Sequence, residues 1–316
     1  MALAHLSHAA SLRFYGHGGS AGDNFVFPDR VKILVEPPSQ ANVGAGDFTI
    51  EFFMRSPIGE NPNPALSCGF GLDWVNSNIM IDRDRFNQGR TFGIGLLGGA
   101  VAFGASDEFV GYTLCGTTDL RDDLWHHVAV ERRASDGRLR IWVDGLLDAE
   151  GPTSGGPSED MSYAASAVPG SFCSPDGGSG SQSCQNSDPY LVFGAEKHGF
   201  QGINFSGWLD EVRLSNTIRY TASFPAPSVP FSPDGSTLAL WHFDEGANST
   251  LGDSTTGGSH GTIFVGGTPP AGPVWSTESP FAPVSIPTLP SAALIALAAG
   301  LAGLGHRTLR QLKRIG

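Results

Sequence analysis

The chain has 316 residues, enough for one large domain or two ordinary ones. Glycine (43) and proline (22) are abundant and charged residues make up only 16%, a mixture that favours short strands and tight turns over long helices. The formal net charge of −12 would repel phosphate backbones, so we expect no nucleic-acid partner.

Strand-like runs broken by Gly, Pro, Asn and Asp recur from Ser11 to Phe243. In Asp47–Arg55 every second residue is apolar, which predicts a strand with one buried face. The clearest hairpin joins Leu124–Arg133 to Arg138–Asp144 through Ala-Ser-Asp-Gly, a turn whose residues tolerate positive φ. Many antiparallel strands at this spacing predict an all-β sandwich, barrel or jelly roll. The other predicted strands are Ser11–Tyr15, Arg30–Val35, Asn78–Arg85, Thr91–Leu97, Tyr190–Gly194, Gly207–Ser215 and Thr237–Phe243.

One carboxylate stands out in the strand at 207–215. At strand period Asp210 shares a face with Trp208, Val212 and Leu214, while its neighbour Glu211 points to the other face. An isolated buried carboxylate is costly, so Asp210 is expected to meet backbone donors or a cation. The alternative is a hydrogen bond to a neighbouring turn.

The four cysteines allow three disulfide connectivities. Cys173 and Cys184 flank a polar loop that a bridge would order, and Cys68 and Cys115 lie in strand-like runs that could face each other. The alternative is four unpaired thiols. No Cys-x-x-Cys pair occurs, so the sequence supports neither a zinc ribbon nor a thioredoxin-type site.

The chain divides by composition into a β domain and a tail. Residues 151–188 are a Gly/Ser/Pro-rich insertion within the domain at 10–265, and the Pro-rich residues 266–287 are predicted to be an extended spacer. Residues 1–9 lack the basic and apolar regions of a full export signal, so we interpret them as a remnant or an incomplete signal.

Residues 288–316 are predicted to form a hydrophobic helix followed by a basic cluster. The stretch 291–305 carries no charge, and four basic residues follow it, which places the C-terminus in the cytoplasm and the β domain outside it. Ile286-Pro-Thr-Leu289, the apolar helix and the basic cluster together resemble the C-terminal sorting signals of exported Gram-negative proteins, the IPTL-CTERM and PEP-CTERM class. The alternative is an ordinary membrane anchor.

Several motifs resemble laminin G-like domains. They are Phe48-Thr-Ile-Glu-Phe-Phe-Met54, the hairpin Leu124–Gly145 with its Trp-His-His-Val-Ala-Val and Trp-Val-Asp-Gly segments, Gly207–Thr221, and Leu240–Gly246 with Asp253–Thr262. The resemblance implies a concanavalin A-like jelly roll of two antiparallel sheets over residues 10–265. In related families the aspartate of the last strand helps to bind a structural Ca²⁺. The resemblance therefore implies Asp210 as a side-chain ligand, with the backbone of Gly16 as its partner.

Other chemistry has weaker support. His126 and His127 are adjacent in a strand, so they point to opposite faces and are expected to pack beside Trp125 rather than bind one ion. Glycosidases of this fold class carry Glu-x-Asp-x-x-Glu on one strand, a run that this sequence lacks. The loop aromatics Tyr163 and Phe172 are candidates for a sugar-binding platform.

We therefore expect a non-enzymatic, exported domain that is tethered at the cell surface and recognises glycans or surface proteins. The alternatives are a structural surface or matrix protein and a glycoside hydrolase with a divergent site.

Overall fold

The computed structural model describes residues 10–16, 29–84, 89–163, 190–196, 204–267 and 269–281. These residues belong to the first of two units into which the chain divides, Met1–Phe281, and the second unit, Ala282–Gly316, lies outside the described residues. The described part contains a 3₁₀ helix, Asp73–Asn76, and seventeen strands. The strands are β1 (Ser11–Tyr15), β2 (Arg30–Leu34), β3 (Phe48–Arg55), β4 (Gly69–Phe70), β5 (Asn78–Arg83), β6 (Arg90–Leu97), β7 (Ala100–Asp107), β8 (Gly111–Cys115), β9 (Trp125–Arg133), β10 (Arg138–Val143), β11 (Leu146–Gly151), β12 (Tyr190–Phe193), β13 (Ser206–Ser215), β14 (Thr237–Trp241), β15 (Thr250–Leu251), β16 (Gly261–Phe264) and β17 (Val274–Ser276).

The strands form two antiparallel sheets. Sheet A has the order β11-β10-β9-β3-β13-β1-β17, with β14 also paired to β13. Sheet B has the order β15-β16-β2-β12-β5-β6-β7-β8-β4. Because the inner faces of both sheets contribute to one hydrophobic core, the predicted two-sheet antiparallel sandwich is confirmed.

The centre of sheet A follows the predicted alternation. In β3 the side chains of Phe48, Ile50, Phe52 and Met54 are fully buried in the core. Burial of one such side chain contributes on the order of 1.5–3 kcal/mol to stability. The regular alternation of this strand is therefore one source of the sandwich's stability.

Two hairpins connect β9, β10 and β11. The turn between β9 and β10 contains Gly137 at φ +67°, as the Asp-Gly pair predicts. The turn between β10 and β11 has only two residues, Asp144 at φ +49° and Gly145 at φ +79°, which is a type I′ turn. This geometry explains the Val-Asp-Gly segment that ends β10.

A segment after β13, residues 216–236, packs across the outer face of sheet A. The backbone N–H groups of Arg219 and Tyr220 both donate to the Glu131 carboxylate at 2.8 Å. The Tyr220 hydroxyl donates to Glu51 at 2.6 Å, and its ring stacks on Phe224 with centroids 3.6 Å apart. The Arg-Tyr pair after β13 therefore anchors this segment to sheet A.

The outer face of sheet B holds a buried tryptophan. A Cβ at Gly93 or Gly104 would lie 1.9 or 1.8 Å from the nearest ring atom of Trp74, so only glycine leaves room for the indole. Trp74 lies in the 3₁₀ helix and is completely buried. The two glycines in β6 and β7 thus leave the space that the indole ring occupies.

A disulfide joins Cys68 to Cys115, with their Cα atoms 5.9 Å apart, which confirms that predicted pair. The bridge ties the short edge strand β4 to β8, where Gly69 pairs with Thr113. Disulfides persist in oxidising compartments, so this bridge indicates an extracytoplasmic domain.

Parts of the two segments that composition predicts to be an insertion and a spacer lie in the sandwich. Residues 152–163, the beginning of the predicted insertion, are packed against the sandwich, and Met161 is fully buried in the core. The beginning of the predicted spacer is also part of the sandwich, because β17 pairs with β1 through Leu12 and Trp275. In both segments apolar side chains bind a Gly/Pro-rich chain to the core, which composition alone does not show.

Several predictions fall on residues outside those described. They are the 1–9 segment, the Cys173–Cys184 bridge, Phe172, and the C-terminal helix at 288–316 with its apolar stretch 291–305. Within the described residues, no helix is long and apolar enough to span a membrane.

Candidate functional site

A bulge in β13 changes the predicted arrangement of its acidic residues. Asp210 pairs with Phe53 and Arg213 with Glu51, so Glu211 and Val212 together oppose a single residue of β3. Glu211 takes φ +52° at this point. The prediction that Asp210 shares a face with Val212 and Leu214 is therefore wrong, because the extra residue moves those two side chains to the core.

The bulge creates an acidic cluster on the outer face of sheet A, formed by Asp210, Glu211 and Asp244. The Glu211 carboxylate accepts the Phe231 N–H at 2.8 Å and lies 2.7 Å from His242 Nδ1. Asp244 accepts the backbone N–H of Ala10 at 3.2 Å. Two members of the cluster are thus held by donors from surrounding segments.

Asp210 differs from its two neighbours. It is 2% exposed, and its Oδ1 has no hydrogen-bond partner among the described residues. Burial, with added repulsion from Glu211 and Asp244, raises the pKa of Asp210 to about 10. At neutral pH this carboxyl is therefore protonated unless a cation compensates its charge.

The structure does not bring Gly16 and Asp210 together. Gly16 lies beside Asn204 and Ser206 at the start of β13, whereas Asp210 follows the Leu12–Leu209 pair near the other end of β1. Five residues of strand separate the two positions, roughly 16 Å. They cannot share one ion, and among the described residues no three His, Cys, Asp or Glu side chains are placed to hold a metal. Binding of Ca²⁺ by Asp210, without Gly16, stays a prediction.

Gly16 instead lines a polar cavity of about 350 Å³. The cavity lies where the end of β1, the start of β13 and the loop after β3 meet. Most of its lining residues are polar by type, but the wall area that is accessible in the cavity is more apolar than polar, and this combination suits a small ligand with both kinds of surface. The lining residues are Arg13, Tyr15, Gly16, Glu60, Asn61, Pro62, Asn78, Asn204, Ser206 and Pro270.

One wall of the cavity is a fixed guanidinium group. Arg13 lies between two aromatic rings, 4.3 Å from the centroid of Trp208 and 4.8 Å from that of Tyr15. Its Nη2 is within 3.2 Å of both oxygens of Glu60, and its Nη1 donates to the Phe14 carbonyl at 2.6 Å. Stacking and hydrogen bonding together leave this side chain little freedom.

Asparagine amides hold the rest of the cavity in place. The Asn61 amide accepts the N–H of Ser206 at 2.9 Å and donates to its carbonyl at 2.7 Å, as a neighbouring strand would. Asn61 has φ +54°, a conformation that asparagine tolerates better than most residues. Asn78 donates to the Asn204 carbonyl at 3.4 Å. These contacts preorganise the cavity.

The charged groups of the cavity are unequally exposed. The side chain of Glu60 is 37% exposed and that of Arg13 only 11%. Glu60 also accepts a hydrogen bond from the Ser206 hydroxyl. The carboxylate is therefore the more accessible of the two charged groups that line the cavity.

The other predicted site residues have structural surroundings. His127 is buried between Glu51 and several aromatic rings, and His126 lies between Asp122 and Asp144, which together raise its pKa despite burial. The two histidines do not share a site. Tyr163 is 7% exposed and packs in the core, so the prediction of a sugar platform there is wrong.

Comparisons with known proteins give distant structural neighbours. No protein-family model matches the chain, and no curated protein sequence is significantly similar to it. A proposed carbohydrate-binding protein from Bacteroides ovatus is 16% identical with a TM-score of 0.49, and the match covers 88% of this chain. The chain spans 62% of the length of that protein.

Two further solved structures are similar at lower TM-scores. The mouse laminin alpha1 chain, domains LG4-5, is 14% identical with a TM-score of 0.37, and the match covers 71% of this chain and 47% of that one. The CBM40 of the Ruminococcus gnavus IT-sialidase, bound to alpha2,3 sialyllactose, is 14% identical with a TM-score of 0.39, and the match covers 66% of this chain and 94% of that one. At such identities and scores the likeness implies neither a ligand nor an activity for this chain.

Proposed function

We propose that this protein is a non-enzymatic glycan-binding domain that works outside the cytoplasm and uses the polar cavity as its ligand site. The observation that supports this most is the composition of the cavity. Arg13 contributes hydrogen-bond donors and Glu60 contributes acceptors, the ring of Tyr15 provides an apolar surface, and the buried Asn61 and Asn78 shape the wall behind them. A sugar ring presents the same combination of hydroxyl groups and C–H faces.

A hydrolytic role has less support from the geometry. Glu51 and Glu131 lie on the neighbouring strands β3 and β9, but they are 0% and 1% exposed beneath the segment 216–236. Asp210 and Glu211 are likewise 2% and 1% exposed. None of these carboxyl groups reaches a substrate in the described structure.

We further propose that the protein works outside the cytoplasm, tethered at the cell surface. The Cys68–Cys115 bridge supports an oxidising compartment. A C-terminal helix at 291–305 would hold the domain at the cell surface, and this tether rests on the sequence prediction.

A glycan array probed with the full-length chain tests the function. We expect the wild type to bind a defined set of glycans and Tyr15→Leu, which removes the ring of the cavity wall, to lose at least about tenfold in affinity. Phe109→Ser is the matched control, because Phe109 is an aromatic residue that is 81% exposed outside the cavity. A blank array with folded wild type would contradict glycan binding, and equal losses in both variants would contradict the cavity as the site.

A further inference from the structure

We propose that the polar cavity selects an uncharged terminal sugar and rejects anionic sugars such as uronic, sialic or sulfated units. This inference rests on the proposed function and concerns the same site. Three features of the cavity lead to it: the pairing of its charges, the chemistry of its exposed groups and its size.

The charges of the cavity cancel each other. Arg13 is the only cation among the described residues that line the cavity, and Glu60 neutralises it through contacts from both carboxylate oxygens. An anionic sugar would have to displace Glu60 from Arg13 and leave two like charges side by side. Such an arrangement is unfavourable at close range, and the net charge of −12 adds repulsion at longer range.

The exposed groups suit hydroxyl donors. Glu60 is the more exposed partner of the ion pair, so its carboxylate is the charged group of the cavity that a ligand reaches more easily. An ionised carboxylate only accepts hydrogen bonds. A sugar hydroxyl can donate to it, whereas a sugar carboxylate or sulfate offers no proton in return.

The size of the cavity favours the end of a chain. A volume of about 350 Å³ is at the lower end of the ~300–1,000 Å³ typical of ligand pockets. Pro62 and Pro270 contribute walls with restricted backbone conformations. A cavity of this volume has room for only a short part of a glycan, which in this proposal is its terminal unit.

The first experiment compares matched ligands on the wild-type full-length chain. The probes are neutral oligosaccharides and the same oligosaccharides capped at the terminal unit by sialic acid, a uronic acid or sulfate. We expect the neutral forms to bind and each anionic cap to reduce affinity at least about tenfold. Binding of the capped forms alone would overturn this inference and leave glycan recognition intact, whereas binding of neither series would overturn the proposed function itself.

A second experiment tests whether the charge of Glu60 is what excludes anionic sugars from the cavity. Glu60→Gln keeps the shape of the side chain but removes its charge, so the Arg13 guanidinium becomes available to an anionic ligand. We expect affinity for the capped oligosaccharides to rise about tenfold or more, an effect that a loss of folding would not produce. Glu150→Gln is the matched control. Glu150 lies on the edge strand β11, outside the cavity, and also pairs with arginines, Arg138 and Arg140 of β10. An unchanged preference in the folded Glu60→Gln variant would refute the role of this carboxylate.

Discussion

Arg13 and Trp208 are direct partners across β1 and β13, and the Arg13 guanidinium lies 4.3 Å from the centroid of the indole. Arg55, the partner of Trp208 on β3, lies 4.7 Å from the same ring. The row Arg55–Trp208–Arg13 thus crosses three strands of sheet A and ends at the polar cavity. Sheet register therefore determines where the cavity places its guanidinium.

Replacement of Trp208 tests this row. Trp208→Leu removes the ring that holds both guanidinium groups, and we expect the free energy of unfolding to fall by about 1–3 kcal/mol. Denaturant unfolding measures this change. Because Arg13 would lose one of its two stacking partners, glycan affinity should also fall. A stability change within about 0.5 kcal/mol, the usual range for surface substitutions, would show that the row contributes little.

The buried carboxyl of Asp210 predicts an unusual pH dependence. Its pKa is about 3.8 in an unfolded chain and about 10 in the folded protein, so folding takes up a proton between these values. The contribution of Asp210 to stability is fully present below about pH 4 and is lost as the pH rises towards 10. Asp210→Asn should remove this dependence and, at pH 7, stabilise the protein by an amount on the order of 2–4 kcal/mol.

Calcium gives the same variant a second use. If Ca²⁺ binds at Asp210, it displaces the proton, and added Ca²⁺ should raise the unfolding temperature of the wild type at pH 7 to 8 but not that of Asp210→Asn. Differential scanning calorimetry with Ca²⁺ and with a chelator distinguishes the cases. An equal response of both proteins would remove Asp210 from any calcium site.

The close packing of Trp74 against the glycines of sheet B is also testable. Gly104→Ala places a methyl group 1.8 Å from a ring atom of Trp74, so the indole must move, and we expect a loss of about 1–3 kcal/mol in unfolding free energy. Gly46→Ala is the control, because a Cβ there meets nothing within 4 Å. Similar stabilities of the two variants would contradict the close packing on sheet B.

The Cys68–Cys115 bridge closes a long loop, since 47 positions separate the two cysteines. The chain-entropy model predicts about 4 kcal/mol of stabilisation for a loop of this length. The double variant Cys68→Ser, Cys115→Ser should therefore unfold at lower denaturant than the oxidised wild type. Wild type treated with a reductant should match the variant, and a difference between them would point to an effect of the serines themselves.

The sequence predicts the parts of this fold that depend on local periodicity. β3 and the β9–β10 hairpin appear at their expected places because alternation and the Asp-Gly turn are local signals. The bulge at Glu211 shifts the alternation by one residue. In a strand this short, the sequence pattern does not indicate a single inserted residue. The sequence alone therefore could not predict which side chains of β13 share a face of the sheet with Asp210.

The polar cavity could not be predicted from the sequence for a different reason. Arg13 and Ser206 are 193 positions apart, and Glu60 comes from a loop between them. Only the pairing of β1 with β13 brings these residues together. A signal was present in Gly16 and Asn61, residues suited to positive φ, but it indicates a turn and not a ligand site.

A crystal structure of the protein with the neutral oligosaccharide that binds best on the array would show directly whether the polar cavity is the sugar site. We predict that the terminal sugar of the oligosaccharide occupies the polar cavity, with a hydroxyl group on the Glu60 carboxylate and a ring face against Tyr15. A sugar bound on the outer face of sheet B or beside the exposed ring of Phe70, with the polar cavity empty, would contradict the account.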